Sequence, residues 1–350
     1  MRVVAAYHNV VPQSWKGSCA LDTVVLKVNP FAPEPDVIRR AAGVIRAGGL
    51  VAFPTETVYG LGANGLDAGA VARIFEAKGR PATNPVILHV FDGSRVLNVS
   101  SNWPATAKSL AARFWPGPLT FVVPKAPQVP DVATAGGPTV AVRCPQHSVA
   151  RALIQEAGVP IAAPSANRST ELSPTRAEHV LKSLNGRIDL LLDGGPCPGG
   201  IESTVVDVTG EMPRLLRPGL ISVPMLEEVC GRVEIGAKSE GVSRSPGQMA
   251  KHYSPRTPVV LCRSNEEALA LADEFSRQEL SWGWLSFGEV SERFAAVPMP
   301  ADSESYAARL YRELHAFDEV DIDRILVTLP PDTPEWAAVR DRLTRAAVPG

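Results

Sequence analysis

The chain has 350 residues, of which 45% are hydrophobic and 21% charged, with a formal net charge of −2. This length favours about two domains of an ordinary soluble globular protein, and the near-zero charge argues against a broad basic surface for tRNA or DNA. The five cysteines form no CxxC pair and no apolar run approaches 18 residues, which argues against a zinc site, a disulfide framework and a membrane span, and favours a cytoplasmic location.

In the first part of the chain, short apolar strands mix with amphipathic helices. Residues 1–22 have no clear period, and residues 1–27 are predicted to be an N-terminal extension. Residues 28–235 are predicted to form one domain of the α/β or α+β class, because strands and helices mix with irregular joints and no barrel repeat is visible. Its helices are predicted at residues 35–48, 67–78, 149–157 and 177–184, and its strands at residues 50–53, 86–90, 121–123, 139–143, 161–163, 190–192 and 204–208.

The composition changes after about residue 235. Residues 236–256, GAKSEGVSRSPGQMAKHYSPR, are rich in Gly, Ser, Lys and Arg and are predicted to be a linker. Residues 257–350 are predicted to form a second, smaller domain. Its strands are predicted at residues 258–262, 281–286 and 324–329, and its helices at residues 266–275, 303–317 and 334–346. Three such β-α units predict a small parallel sheet.

A glycine pattern in the first domain matches a known cofactor motif. The segment YGLGANG fits G-x-G-x-x-G at Gly60, Gly62 and Gly65. In that motif the strand runs directly into the first glycine, whereas here the polar residues 54–57 intervene. We therefore expect a tight loop, and a dinucleotide-dependent oxidoreductase is only a minor alternative.

Polar side chains lie beside several of the predicted strands, which is how α/β proteins build sites. They are Thr57, Lys78, Arg80, His89, Arg143, Ser165, Asn167, Ser203, Thr204 and Arg217. Structural roles are also open: Lys78 and Arg80 could complement a helix end, and His89 could be a core histidine. Together the cations and hydroxyls suit a polyphosphate plus a small carboxylate, because arginine can bind either group through two parallel hydrogen bonds.

Several ordered blocks of the sequence closely resemble the threonylcarbamoyl-AMP synthases. They include KGRPATNPVILHV, APSANRS, GGPCPGGIEST and SPGQMAKHYSP, and the resemblance runs from about residue 28 to residue 347. The chain is similar to the long form of this family. The resemblance implies a YrdC-like twisted mixed sheet with flanking helices in residues 28–235, and a small Rossmann-like parallel α/β domain in residues 257–350.

The resemblance also implies a reaction and a set of site residues. The family condenses L-threonine, bicarbonate and ATP into threonylcarbamoyl-adenylate and pyrophosphate, and a threonylcarbamoyl-transferase complex then modifies tRNA. The residues implied to be catalytic are Lys78, Arg80, Ser165 and Asn167. Those implied to bind ATP are Arg80, Asn84, Thr139, Ser165, Ser173, Arg217, His252 and Tyr253. Those implied to bind L-threonine are Thr57, His89, Arg143, Ala163 and Ser203, with Arg143 on the carboxylate.

Mg²⁺ bound with ATP is the implied cofactor, held largely by phosphate and water, so no protein metal site is predicted. The segment 236–256, with His252 and Tyr253, is predicted to act as a lid over the site or, alternatively, only as a tether. The main alternative function is a YrdC-like RNA-binding module without catalysis. A carbamoyltransferase maturation enzyme is a further alternative, but such chains carry acylphosphatase and zinc-finger segments that this sequence lacks.

Overall fold

The computed structural model describes residues 22–236, 253–288 and 296–347. Within these ranges an eleven-stranded mixed sheet and a separate four-stranded parallel sheet are present. The large sheet contains β1 Val24–Lys27, β2 Val51–Phe53, β3 Gly60–Asn64, β4 Ile87–His89, β5 Leu119–Pro124, β6 Thr139–Arg143, β7 Ile161–Ala162, β8 Leu190–Asp193, β9 Thr204–Asp207, β10 Arg214–Arg217 and β11 Glu234–Ile235. The small sheet contains β12 Val259–Cys262, β13 Trp282–Phe287, β14 Ala296–Met299 and β15 Arg324–Thr328. This architecture confirms the predicted fold class.

Helices flank both sheets. They are α1 Pro35–Arg46, α2 Ala68–Lys78, α3 Ala105–Phe114, α4 Asp131–Thr134, α5 Ser148–Ala157, α6 Ala177–Leu184, α7 Val223–Cys230, α8 Asn265–Arg277, α9 Ser303–Glu319 and α10 Ala337–Ala346. Alternate residues of β2 pack in different hydrophobic cores on the two faces of the sheet. Val51 and Phe53 pack with α1 and α5, whereas Ala52 packs with α2 and α6. This alternation follows from the two-residue period of a strand and explains why a short apolar run is buried on both faces.

The ends of helix α2 determine where the chain places Lys78 and Arg80. Asp67 caps the start of this helix, since its side chain accepts hydrogen bonds from the backbone of Gly69 and Ala70. At the other end, Gly79 adopts a left-handed conformation with φ of 60°. Glycine accommodates this conformation without steric cost, so the helix stops after Lys78 and the chain turns before Arg80.

The glycines of YGLGANG form part of a strand, and the predicted tight loop is wrong. β3 pairs antiparallel with β2 and β7. A side chain at Gly62 would lie 2.7 Å from Phe53 and 2.9 Å from Ile161, so glycine allows the close approach of neighbouring groups here. The sequence pattern missed this strand because two of its five residues, Gly60 and Gly62, are glycines that hide its alternation, whereas Gly65 lies in the turn that follows.

The large sheet also begins earlier than the sequence indicates. β1 pairs parallel with β8 and lies within residues 1–27, the predicted extension. Residues 1–21 of that extension lie outside the described residues. The strands β10, β11 and β14 and the helices α3, α4 and α7 were also missed.

The two sheets belong to units that share a packed interface. Val58, Leu172 and Ile201 of the first unit belong to the same buried cluster as side chains of α9, such as Leu310. The rings of His179 on α6 and His315 on α9 stack across the interface with their centroids 3.8 Å apart. The smaller unit therefore packs directly against the loops that carry the predicted site residues.

Candidate active site

Nine of the residues predicted from the sequence line one cavity of about 40 Å³. They are Thr57, Arg80, His89, Arg143, Ala163, Ser165, Ser203, Arg217 and Tyr253. This volume is far below the ~300 Å³ at which ligand pockets usually begin. A larger cavity of about 220 Å³ lies between residues 90–98 and 154–160 and contains none of the predicted site residues.

One side of the cavity carries a cation beside a neutral imidazole. His89 and Arg143 are paired neighbours on the parallel strands β4 and β6, and both are buried. Burial and the charge of Arg143 lower the pKa of His89 to about 3, so this ring is neutral at physiological pH. Nδ1 of His89 has no hydrogen-bond partner among the described residues. A buried ring nitrogen in this state is suited to bind a polar group of a ligand.

Arg143 is held by two neighbours. Its Nε donates to the carbonyl of Gly117 at 3.3 Å, and its Nη2 forms an ion pair of 2.6 Å with Oε1 of Glu56. The guanidinium is therefore fixed in direction, which favours the recognition of a carboxylate in one orientation.

The other side of the cavity is rich in positive charge. Nε and Nη2 of Arg80 donate to the carbonyls of Asn84 and Pro85, at 3.1 and 2.9 Å. Nε of Arg217 donates to the carbonyl of Ser203 at 3.0 Å, and its Nη2 donates to the Ser203 hydroxyl at 3.1 Å. Burial and the charge of Arg217 lower the pKa of Arg80, but a guanidinium remains protonated at neutral pH. Two buried guanidiniums beside one cavity suit a phosphate chain.

Lys78 lies behind the cavity wall. Its ammonium donates to the carbonyl of Ser165 at 2.6 Å and to the carbonyl of Asn167. Burial, assisted by the charge of Arg80, lowers the pKa of Lys78 well below its usual value. In this conformation Lys78 fixes the Ser165–Asn167 loop.

Besides Lys78, five of the residues implied to be catalytic or to bind ATP or threonine do not line the cavity. Asn84 is next to it through its hydrogen bond with Arg80, and Asn167 through Lys78. Ser173 lies behind Glu202, to which its hydroxyl donates. Thr139 begins β6, about 13 Å from Arg143 at the strand's other end. His252 lies outside the described residues, as does most of the predicted lid, residues 237–252.

Comparisons with known proteins identify the family of this chain. A family model described as Telomere recombination matches residues 43–219, and the model Threonylcarbamoyl-AMP synthase, C-terminal domain, matches residues 221–348. A Bacillus subtilis protein named Threonylcarbamoyl-AMP synthase is 43% identical, over 89% of this chain and 92% of its own length. The chain belongs to the threonylcarbamoyl-AMP synthase family.

Relatives in this family also match in three dimensions. A Pyrococcus abyssi Threonylcarbamoyl-AMP synthase is 43% identical, over 89% of this chain and 94% of its own length. The crystal structure of P. abyssi Sua5 complexed with L-threonine superposes with a TM-score of 0.88 at 41% identity, and covers 93% of this chain and 98% of that one. The family resemblance inferred from the sequence is thus confirmed.

Sequence reasoning missed two acidic residues, one beside the cavity and one in its lining. Glu56 pairs with Arg143, and Glu202 lines the cavity near Arg217. Both stand beside predicted residues, in the segments Thr-Glu-Thr and Glu-Ser-Thr. An acid within the same three-residue segment as two hydroxyl residues was the signal that could have identified them.

Membrane-spanning helices and metal-binding clusters are both absent from the part of the chain that the structure describes. Among the described residues, no helix is both long and apolar enough to span a membrane. The same residues contain no group of three or more His, Cys, Asp or Glu side chains that could hold a metal ion.

Proposed function

We propose that this protein condenses L-threonine, bicarbonate and ATP into L-threonylcarbamoyl-adenylate and pyrophosphate. The observation that carries the proposal is the buried pair His89 and Arg143, set next to Arg80 and Arg217 in one cavity. A neutral imidazole beside an oriented guanidinium suits an amino acid, and the two further guanidiniums suit the triphosphate.

The residues would share the work as follows. Arg143 binds the threonine carboxylate, while Thr57, His89, Ala163 and Ser203 surround the rest of the amino acid. Arg80 and Arg217 neutralise the phosphates, and Ser165 contacts the reacting end of the nucleotide. Lys78 and Asn167 hold the loop that carries Ser165. These roles amount to positioning and charge stabilisation, which suits a reaction that needs no covalent enzyme intermediate.

The chemistry proceeds in two steps. The threonine amine attacks the carbon of bicarbonate and water is lost, which gives N-carboxy-threonine. A carboxylate oxygen of this carbamate then attacks the α-phosphorus of ATP, the bond to the β-phosphate oxygen breaks, and pyrophosphate leaves. The product is a mixed anhydride that water would destroy, so the reaction benefits from a site that excludes solvent.

Mg²⁺ would accompany ATP and supply positive charge to the leaving pyrophosphate. The carboxylate near the phosphate side, Glu202, is engaged by Arg342 and Ser173, so the residues present fit a cation held by phosphate and water oxygens. We further propose a cytoplasmic protein whose product is used by a threonylcarbamoyl-transferase complex acting on tRNA.

The test is to incubate the protein with ATP, Mg²⁺, bicarbonate and L-threonine, and to measure pyrophosphate with each component omitted in turn. The proposal expects release only when both threonine and bicarbonate are present. Release that does not depend on threonine would identify a different acceptor, and absence of release from folded protein would favour the RNA-binding module.

A further inference from the structure

A buried ion pair joins the two units directly behind the site. Nε of Arg342, on α10, donates to Oε2 of Glu202 at 2.7 Å, and the Arg342 side chain is fully buried. Nη2 of the same arginine donates to the carbonyl of Pro218 at 3.1 Å, next to Arg217. The smaller unit therefore contacts the segment that carries Arg217, at Pro218, and the segment that accepts the hydrogen bonds of Arg217, at Glu202 beside Ser203.

Glu202 connects Arg342 with residues of the predicted nucleotide site. The Ser173 hydroxyl donates to Oε1 of Glu202, and Tyr311 of α9 donates to Oε2 at 3.2 Å. Ser203, the next residue, accepts hydrogen bonds from Arg217. Burial raises the pKa of Glu202, but the charges of Arg342 and Arg217 outweigh it and keep the pKa below its usual value.

The backbone next to Glu202 also packs closely against the smaller unit. A side chain at Gly200 would lie 2.2 Å from the carbonyl oxygen of Ala307 on α9, so this loop touches the helix backbone. Ile201 is fully buried in the core of the smaller unit. Nε2 of His315 lies 3.1 Å from the carbonyl of Ser173. Ser173 and the loop around Glu202 thus both contact helices of the smaller unit, α9 and α10.

We infer that Arg342 is a positioning residue for ATP, which fixes Glu202 and through it the nucleotide-side groups Ser173 and Arg217. The inference rests on the proposed function, and it assigns the smaller unit the role of completing the nucleotide site. The threonine side depends less on Arg342, because Ser203 is also held by the hydroxyl of Thr120 on β5 at 2.8 Å.

The experiment compares Arg342→Met with Arg340→Met in the full-length protein. Arg340 lies on the same helix, but it pairs with Asp332 at 3.3 Å, away from Glu202. Calorimetry gives the dissociation constants of ATP with Mg²⁺ and of L-threonine separately, and thermal melting reports folding. We expect Arg342→Met to weaken ATP binding at least tenfold and threonine binding less than threefold, with both constants within twofold of wild type in Arg340→Met.

Removal of Arg342 alone leaves Glu202 as an unpaired buried charge, which can prevent folding. In that case the double variant Glu202→Gln/Arg342→Met, which removes both charges, is measured instead, with the same tenfold loss expected for ATP. An ATP constant within twofold of wild type, or equal losses for ATP and threonine, would overturn the inference. ATP binding without any pyrophosphate release in the wild type would refute the proposed reaction instead, and the two failures are thereby distinct.

Discussion

Oε1 of Glu56 lies 2.6 Å from Nη2 of Arg143, and both side chains are at least nine-tenths buried. The cation proposed to bind the substrate carboxylate therefore already has a carboxylate partner in the protein. Breaking a buried pair by removing one member is costly, whereas removing both members at once is often tolerated. This relationship allows stability and substrate binding to be separated by mutation.

We predict that Arg143→Met lowers the free energy of unfolding by about 3–5 kcal/mol, because Glu56 is left buried and unpaired. The double variant Glu56→Gln/Arg143→Met should recover most of this loss. Both variants should still bind threonine at least ~30-fold more weakly, since a buried charge partner is worth about 2–5 kcal/mol in binding. Urea unfolding and the threonine KM for pyrophosphate release measure the two effects. Recovery of threonine binding in the double variant would contradict the role given to Arg143.

The second prediction concerns Lys78 and the loop it holds. Lys78→Met should reduce both stability and kcat, because the buried carbonyls of Ser165 and Asn167 lose their donor. Each such group costs about 1–3 kcal/mol when it is left without a partner. Lys108→Met, on the exposed side of α3, is the matched control and should change neither quantity. Normal stability with lost activity would instead indicate that Lys78 contacts the substrate directly.

The third prediction compares two left-handed glycines. Gly200 and Gly136 have φ of 74° and 76°, but only a side chain at Gly200 would meet the backbone of α9. Gly136→Ala should therefore cost about 1–2 kcal/mol, the price of alanine in this conformation. Gly200→Ala should cost at least ~2 kcal/mol more and should raise the ATP KM as well. Equal effects of the two changes in thermal melting and kinetics would show that the α9 contact is unimportant.

The fourth prediction concerns pH and the His179–His315 stack. Burial, together with the neighbouring charge of His315, lowers the pKa of His179 to about 2, and burial lowers that of His315 to about 4, against an ordinary value of 6.5. The unfolded chain thus binds protons more readily, and stability should fall as the pH decreases from 6.5 towards 4, by about 1.4 kcal/mol per pH unit for each histidine.

His315→Gln is the variant that tests this expectation, because its amide nitrogen can still donate to the carbonyl of Ser173. Urea unfolding between pH 8 and pH 4.5 should show a shallower decrease of stability in the variant than in the wild type. An unchanged pH dependence would mean that the interface histidines do not titrate on unfolding.

Much of the fold could be predicted from local patterns. The strand Thr139–Arg143 and the helix Ala177–Leu184 have the predicted bounds, because their alternation and helical spacing are unbroken. β3 was missed because its glycines have no side chains to show an alternation, and β1 because Val24 and Val25 are partly exposed at the edge of the sheet.

By itself, the sequence determined the α/β class, the two-unit organisation and the kinds of side chain that could bind an amino acid and a nucleotide, since these depend on composition, local periodicity and ordered motifs. Only the tertiary structure decided which of those side chains meet. It brought Arg143 to Glu56, turned Lys78 towards backbone carbonyls, and placed Arg342 against Glu202, 140 positions earlier in the chain. Such pairings depend on how the sheets and helices pack. Packing brings together residues that are far apart along the chain, and no local sequence pattern indicates that they will meet.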